Sequence, residues 1–292
     1  MNSVRQNTTL CNGSLLKFNM KTKFNTRSMV LLGLLTAIVV VFSLTPIGSI
    51  PIGPLVITLN IIPIAIAAVA LGPIGGLIMG TVFGLFSFMQ CFGIGVLSTM
   101  GAATLEISPV LTFIQRVVPR ALDGLLVGLM FSGISKLKSL KAYYIITGII
   151  TGAFSLALFL SVMLLICYDK NGKFSMNEKM YSLMTSGRLI CVFLLGFAVG
   201  YMAVNGKKLS KIQVSCAVSG FMAAILNTIF FMTLLVVLFG NSDYMKTNMA
   251  GRNPLLYIVV SVGINALFEM VVSTLLTTFI GGALFKARLI AT

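Results

Sequence analysis

A stretch of forty residues without a charged side chain, Pro51–Gln90, constrains this chain more than any other feature. A lipid bilayer core requires roughly 20 apolar residues for each helix that crosses it, so the stretch has the length of two crossings. Gly72-Pro73 interrupts it near the middle, where proline removes a backbone donor and disfavours helix in the residue before it. The stretch therefore predicts two membrane helices joined by a tight turn.

Small residues at helical spacing mark two further faces. Glycine recurs every four residues at Gly72, Gly76, Gly80 and Gly84, which predicts a smooth stripe where another helix backbone can approach closely. In the first predicted helix, Gly33 and Ala37 form a second pair of this kind. If that pair faces lipid, it is a natural docking site for a partner helix.

The composition indicates an integral membrane protein. The chain has 292 residues, of which 58% are hydrophobic and only 9% are charged, whereas a soluble domain carries about 25% charged residues. The formal charge of +15 is typical of the cytoplasmic loops of a membrane protein. Because no stretch interleaves basic residues with aromatic ones, we predict no nucleic-acid partner.

The hydrophobic pattern predicts an all-α, polytopic membrane bundle of about eight helices. The helices are expected over 28–46, 55–71, 74–92, 109–133, 142–167, 189–205, 214–239 and 255–285. Residues 93–108 and the segment around Asp243 are expected to be loops. The lysine clusters fit one orientation, with both termini in the cytoplasm. Residues 1–27 then form a polar, basic tail, and 28–286 form a single transmembrane domain.

The sequence lacks several residue types and motifs that are common in enzyme active sites. It contains no histidine, so the commonest general base is missing. Its five cysteines are scattered and lack CxxC spacing, which predicts neither a metal site nor a cofactor site. No phosphate-binding GxxxxGK[ST] motif occurs, so the chain itself is not expected to hydrolyse ATP. We predict no catalytic residues.

Helix four carries charged residues at a depth where charge is costly. Arg116 and Arg120 are four residues apart on one face, and Asp123 lies within pairing distance of Arg120 along the helix. Arg120 is open to two interpretations, an anion ligand or an internal ion pair with Asp123. For Arg116 we favour a side chain that extends to the membrane interface.

The last two helices carry further polar candidates. Asn227 lies in helix seven, and Asn265 and Glu269 share a face of helix eight. They could bind polar groups of a ligand, or they could hold helices together, with Glu269 bridging to an arginine. Asn60 and Gln90 are weaker candidates, since such residues commonly form hydrogen bonds between helices.

Four segments together resemble the substrate-binding S components of energy-coupling factor (ECF) transporters, most closely the pantothenate-type subunits. They are TPIGSIPIGPLVITLNIIPIAIAAVALGPIGGLIMGTVFGLFSF (45–88), VVPRALDGLLVGLMF (117–131), LNTIFFMTLLVVLFG (226–240) and NALFEMVVSTLL (265–276). Two departures are evident. The family usually has six helices, so 140–211 looks like an insertion of two, and Asn60 stands where a histidine is usual.

The resemblance implies a subunit that captures a vitamin or related micronutrient, with pantothenate favoured, from the outer side of a bacterial plasma membrane. It also implies delivery through a shared transmembrane coupling subunit driven by two ATPase subunits. The docking face would be Gly33 and Ala37, and the outer loop at about 47–57 would close over the ligand. The ligand-binding residues it suggests are Arg120, Asn227, Asn265, Glu269, Asn60 and Gln90.

A self-sufficient secondary transporter, coupled to protons or ions through Glu269 or Asp123, is the main alternative. Such folds often show inverted repeats or interrupted helices, and neither is evident in this sequence. A membrane enzyme is a third possibility, but it would need paired acid and base groups that the sequence does not supply.

Overall fold

The computed structural model describes residues 25–46, 48–52, 55–96, 98–136, 211–249, 254–287 and 289. These residues form a helical bundle with one small β-hairpin. The helices are α1 (Thr26–Leu44), α2 (Ile61–Met89), α3 (Thr99–Ile107), α4 (Pro109–Ser135), α5 (Lys211–Phe239), α6 (Asp243–Met249) and α7 (Pro254–Lys286). The hairpin consists of β1 (Ser49–Ile52) and β2 (Leu55–Thr58), and a short 3-10 turn, Gln90–Phe92, follows α2.

Five of the described helices have the length and composition to cross a membrane. Four are α1, α2 with its 3-10 extension, α4 and α5, and the fifth is the Glu269–Lys286 part of α7. The predicted polytopic helix bundle is therefore confirmed. The predicted helices at 142–167 and 189–205, and the tail before residue 25, lie outside the described residues. The predicted orientation and the predicted insertion at 140–211 stay predictions.

Helix α2 folds back on itself at Gly72. This residue has φ 76° and ψ −166°, a conformation that glycine adopts readily and other residues rarely adopt. A Cβ atom placed on Gly76 would lie only 3.0 Å from Cβ of Ala68, whereas residues eight apart in a straight helix are separated by about 12 Å along the axis. The tight turn predicted at Gly72-Pro73 is confirmed.

The first half of α2 is the centre of the bundle. Every residue of Ile61–Leu71 is buried. Its sequence, IIPIAIAAVAL, is apolar on all faces, and such a helix is expected to be surrounded by protein or lipid. Its alanines leave room for neighbouring helices, and α1, α5 and α7 all pack against α2.

The glycine stripe on the second half of α2 lies directly against α4, as predicted. A Cβ atom on Gly84 would lie 2.7 Å from Cα of Val117, and one on Gly80 would collide with the main chain of Arg120. Gly76 and Gly124 face each other across the same contact. The two backbones touch, which only residues without side chains permit.

Helix α2 begins at Ile61, so the prediction that it starts at residue 55 is wrong. Ser49–Ile52 and Leu55–Thr58 form the antiparallel hairpin instead, with Ser49 opposite Thr58 and Ile52 opposite Leu55. Two features of the sequence explain the difference. Pro51 and Pro54 oppose helix in this segment, and the run Val56-Ile57-Thr58 is β-branched and favours extended backbone.

Two predicted loops contain helices. Residues 93–108 include α3, whose first turn is capped by the Ser98 hydroxyl accepting a hydrogen bond from the backbone N–H of Gly101 at 3.1 Å. The segment around Asp243 forms α6, where the Ser242 hydroxyl accepts from the N–H of Met245 at 3.3 Å. Serine at the N-cap is a recognised signal for the start of a helix, and it was available at both positions in the sequence.

The contact between α2 and α4 predicts a difference between two glycines of α4. In Gly124→Ala, the new methyl group would meet the backbone of Gly76, with its Cα 3.2 Å away. Gly133→Ala is a matched control, because a Cβ atom there has nothing within 4 Å. Overpacking of this kind costs about 1–3 kcal/mol, so we expect that loss for Gly124→Ala and little change for Gly133→Ala. Denaturant titration of the two variants in detergent measures both, and equal stabilities would contradict the contact.

Candidate functional site

Helix α4 carries two arginines into the bundle. Ser108 caps the helix, accepting from the N–H of Leu111, and Pro109 occupies the first helical position, so the start of α4 is well defined. Arg116 and Arg120 follow two and three turns later on one face. Their exposed fractions are only 5% and 4%. Both guanidinium groups therefore lie among protein side chains.

Arg116 does not extend to the membrane interface, so the interpretation favoured from the sequence is wrong. One terminal nitrogen donates to the Ser98 hydroxyl at 3.2 Å, and the other approaches the Ser87 hydroxyl at 3.5 Å. Ser87 belongs to α2 and Ser98 to the cap of α3. These two elements hold the Arg116 side chain inside the bundle.

Arg120 lies on an aromatic surface supplied by α5. Its Cζ atom is 4.0 Å from the ring centroid of Phe231, and that of Arg116 is 5.1 Å from the same ring. Phe83 of α2 lies 5.6 Å from Arg120. A guanidinium group over a ring gains a favourable electrostatic interaction and keeps its N–H groups at its edge for a further partner.

The internal ion pair that was considered for Arg120 is not formed. Its Nη1 donates to the main-chain oxygen of Gln115 at 3.3 Å. Both carboxylate oxygens of Asp123, which is fully buried, are without a hydrogen-bond partner. Among the described residues, neither arginine forms an ion pair with a carboxylate. Two buried positive charges thus lack a direct counter-charge.

Several buried polar atoms of the two arginines, Gln115 and Asn227 also lack hydrogen-bond partners. They are Oε1 and Nε2 of Gln115, Nε of Arg116, Nε of Arg120 and Oδ1 of Asn227. A buried polar group without a hydrogen bond costs about 1–3 kcal/mol, and charged groups cost more. Unpaired atoms also occur elsewhere, at Asn60, Ser273, Thr274 and Thr277, but those next to the arginines include charged groups, for which a bound ligand could complete the hydrogen bonding.

Glu269 has other partners than those predicted. Its Oε1 accepts from both the backbone N–H and the hydroxyl of Thr58, at 2.7 and 3.0 Å. Its Oε2 lies 3.4 Å from the hydroxyl of Thr228. The bridge from Glu269 to an arginine, considered from the sequence, is absent among the described residues.

Asn60 and Gln90 form hydrogen bonds that connect two helices. The side-chain amide of Asn60 donates to the hydroxyl of Ser43 at 3.2 Å, and that of Gln90 donates to the main-chain oxygen of Ser43 at 2.9 Å. Both residues thus attach the end of α1 to α2. The side chain of Asn265 lies outside the described residues, and its backbone is part of α7.

The structure also adds a residue to the site that sequence reasoning missed. Phe231 was not among the predicted site residues, although it lies one helical turn after Asn227 and shares its face. That spacing was the available signal. Gly33 and Ala37 are both exposed on α1, and their role in docking stays a prediction. Within the described ranges, no group of three His, Cys, Asp or Glu side chains could hold a metal ion.

The described residues thus form a membrane helix bundle that encloses a polar site with incomplete hydrogen bonding. The family model of the ECF transporter substrate-specific component matches residues 27–189 and again residues 174–281. None of the curated proteins compared with the chain matches it. The chain belongs to the family of ECF transporter substrate-specific components.

Membership in this family confirms the coarse function inferred from the sequence. The chain is the substrate-capture subunit of an ECF transporter and a multi-pass protein of the cell membrane. Subunits of this kind bind a small molecule and work together with an ECF module.

The contacts of Ser43 predict a coupling between two substitutions. Ser43→Ala and Asn60→Ala each remove the same hydrogen bond, which joins Nδ2 of Asn60 to Oγ of Ser43. A bond of this kind contributes about 0.5–1.5 kcal/mol, so the double variant should be less destabilised than the sum of the single variants by about that amount. Unfolding of the three variants in detergent measures this coupling. Strict additivity would show that the two residues act independently.

Proposed function

We propose that this subunit captures a small carboxylate-bearing vitamin, with pantothenate favoured, from the outer side of the membrane. The observation that carries the proposal is the pair of buried guanidinium groups, Arg116 and Arg120, which have no carboxylate partner among the described residues. A ligand carboxylate would supply the missing negative charge and accept hydrogen bonds from a planar donor edge.

The surroundings of the arginines support a ligand with both charged and neutral polar groups. Gln115 has a donor and an acceptor to offer, and Asn227 has a free acceptor. Pantothenate carries a carboxylate, an amide and two hydroxyl groups, so it could satisfy all of these atoms. The ring of Phe231 provides an apolar surface beside them. Asn265 remains a proposed contributor from α7.

The same fold supports a proposal for the capture and delivery steps. The hairpin at 49–58 lies in the predicted outer loop, and we expect it to cover the bound ligand. Gly33 and Ala37 are exposed on α1, and a Cβ atom on Gly33 would have nothing within 4 Å. This open, small-residue face is suited to the backbone of another membrane helix. We assign it to the transmembrane coupling subunit, which two ATPase subunits would drive.

Binding of pantothenate and of its neutral alcohol analogue tests the carboxylate assignment. In Arg120→Gln, the affinity for pantothenate should fall roughly 10- to 100-fold, because a charge-assisted hydrogen bond contributes about 1.5–3 kcal/mol. The alcohol should bind the parent chain weakly and should lose little further affinity in the variant. Titration calorimetry of the purified chain measures all four combinations.

Arg27→Gln is the control for this experiment, since it removes the same charge from an exposed position at the start of α1. Equal losses for both variants, or equal losses for the acid and the alcohol, would refute a specific carboxylate contact. Binding that requires Na⁺ or a proton gradient would support the alternative of a self-sufficient carrier.

Gly33→Leu combined with Ala37→Leu tests the docking face. Two bulky side chains on this face should abolish uptake by the assembled transporter, because the partner backbone could no longer approach. Ligand binding to the isolated subunit should persist. Gly133→Leu is the control, since Gly133 is exposed on α4 with open space around it. Uptake that survives the double substitution would exclude this face as the docking site.

A further inference from the structure

The carboxylate of Glu269 joins three separate elements of the fold. Thr58 is the last residue of β2, Thr228 lies in the middle of α5, and Glu269 itself belongs to α7. Glu269 is 3% exposed, and both of its oxygens are engaged by the two threonines. A carboxylate offers acceptors only, so donors from β2 and α5 are suitable partners for it.

The hairpin needs such an attachment. Two strands of four residues are marginal on their own in water. Beyond the strands, a backbone hydrogen bond from Leu59 to Gly48 closes the base of the hairpin at 3.0 Å, but it attaches the hairpin only to itself. The two bonds from Thr58 to Glu269 span 211 positions of the sequence and attach the hairpin to the bundle.

The attachment is continuous with the candidate site. Thr228 adjoins Asn227, whose Oδ1 atom is buried and without a partner. Phe231, three residues further along α5, supports the guanidinium groups of Arg116 and Arg120. The same helix therefore contacts Glu269 on one turn and the arginines on the next.

We propose that Glu269 is a positioning residue that fastens the β-hairpin to α5 and α7 beside the arginine site, and that it does not touch the ligand. The statement that Glu269 does not touch the ligand rests on the proposed function. The fastening itself is a property of the ligand-free chain. Glu269 thereby links the hairpin, which is proposed to cover the site, to α5, which carries Phe231 next to the arginines.

Hydrogen–deuterium exchange of the full chain without ligand tests the fastening directly. In Glu269→Ala, the amides of residues 55–59 should exchange at least about tenfold faster, because charge-assisted bonds to the hairpin are lost. Glu269→Gln keeps one acceptor oxygen for Thr58, so its effect should be smaller. Thr277→Val is the control, since this buried α7 threonine has a hydroxyl without a partner and no bond to the hairpin. Unchanged hairpin exchange in Glu269→Ala would overturn the proposal.

The kinetics of pantothenate binding separate positioning from direct contact. If Glu269 positions the hairpin, Glu269→Ala should raise the dissociation rate in parallel with the faster hairpin exchange. A loss of affinity with normal hairpin exchange would instead identify Glu269 as a ligand contact and refute the inference. If no ligand binds the parent chain, the proposed function fails, but the exchange experiment still decides the role of Glu269.

A milder variant keeps the test valid if Glu269→Ala does not fold. Thr58→Val removes the hydroxyl bond at 3.0 Å and leaves the backbone bond at 2.7 Å. Hairpin exchange should accelerate several-fold in Thr58→Val, with the global unfolding midpoint close to that of Thr277→Val. Normal exchange in Thr58→Val would count against the fastening.

Discussion

The direct contact between the backbones of α2 and α4 determines where the charged side chains of this bundle lie. Gly80 faces the main chain of Arg120, and Gly84 faces that of Val117, next to Arg116. Any side chain at these glycines would push α4 away from α2. The contact brings the Arg116 guanidinium within reach of Ser87 on α2. The glycine stripe that packs α2 against α4 therefore also determines where the two buried arginines lie.

Burial of the two guanidinium groups has an electrostatic cost, and their described neighbours offset only part of it. Phe231 and the main-chain oxygen of Gln115 stabilise the buried guanidinium groups, yet neither supplies negative charge. The nearby carboxylates do not neutralise them directly, because Glu269 accepts from threonines and Asp123 has no hydrogen bond among the described residues. This uncompensated positive charge is the basis for proposing an anionic ligand.

Sequence reasoning could predict the helices and the turn at Gly72 because both depend on local patterns. The turn needs a positive φ and a following proline, and the stripe needs only spacing. The hairpin was missed because Leu55–Thr58 is apolar enough for a membrane helix. Its extended form depends partly on Glu269, 211 positions away from Thr58, and no local pattern contains that partner.

The dependence on contacts between distant residues also explains why some site residues could be predicted whereas their partners could not. Arg120 and Asn227 could be identified as candidates from their predicted depth in the membrane, since polar residues there are costly and are commonly functional. Their partners could not be predicted, because pairing depends on the three-dimensional approach of distant helices. Asn60 and Gln90 thus proved to attach α1 to α2 through Ser43. That attachment lies at one end of the helix that carries Gly33 and Ala37, and the hairpin begins five residues after Leu44. The proposed docking helix and the segment proposed to cover the ligand are therefore neighbours along the chain, and the two hydrogen bonds to Ser43 fix the end of α1 from which the hairpin follows.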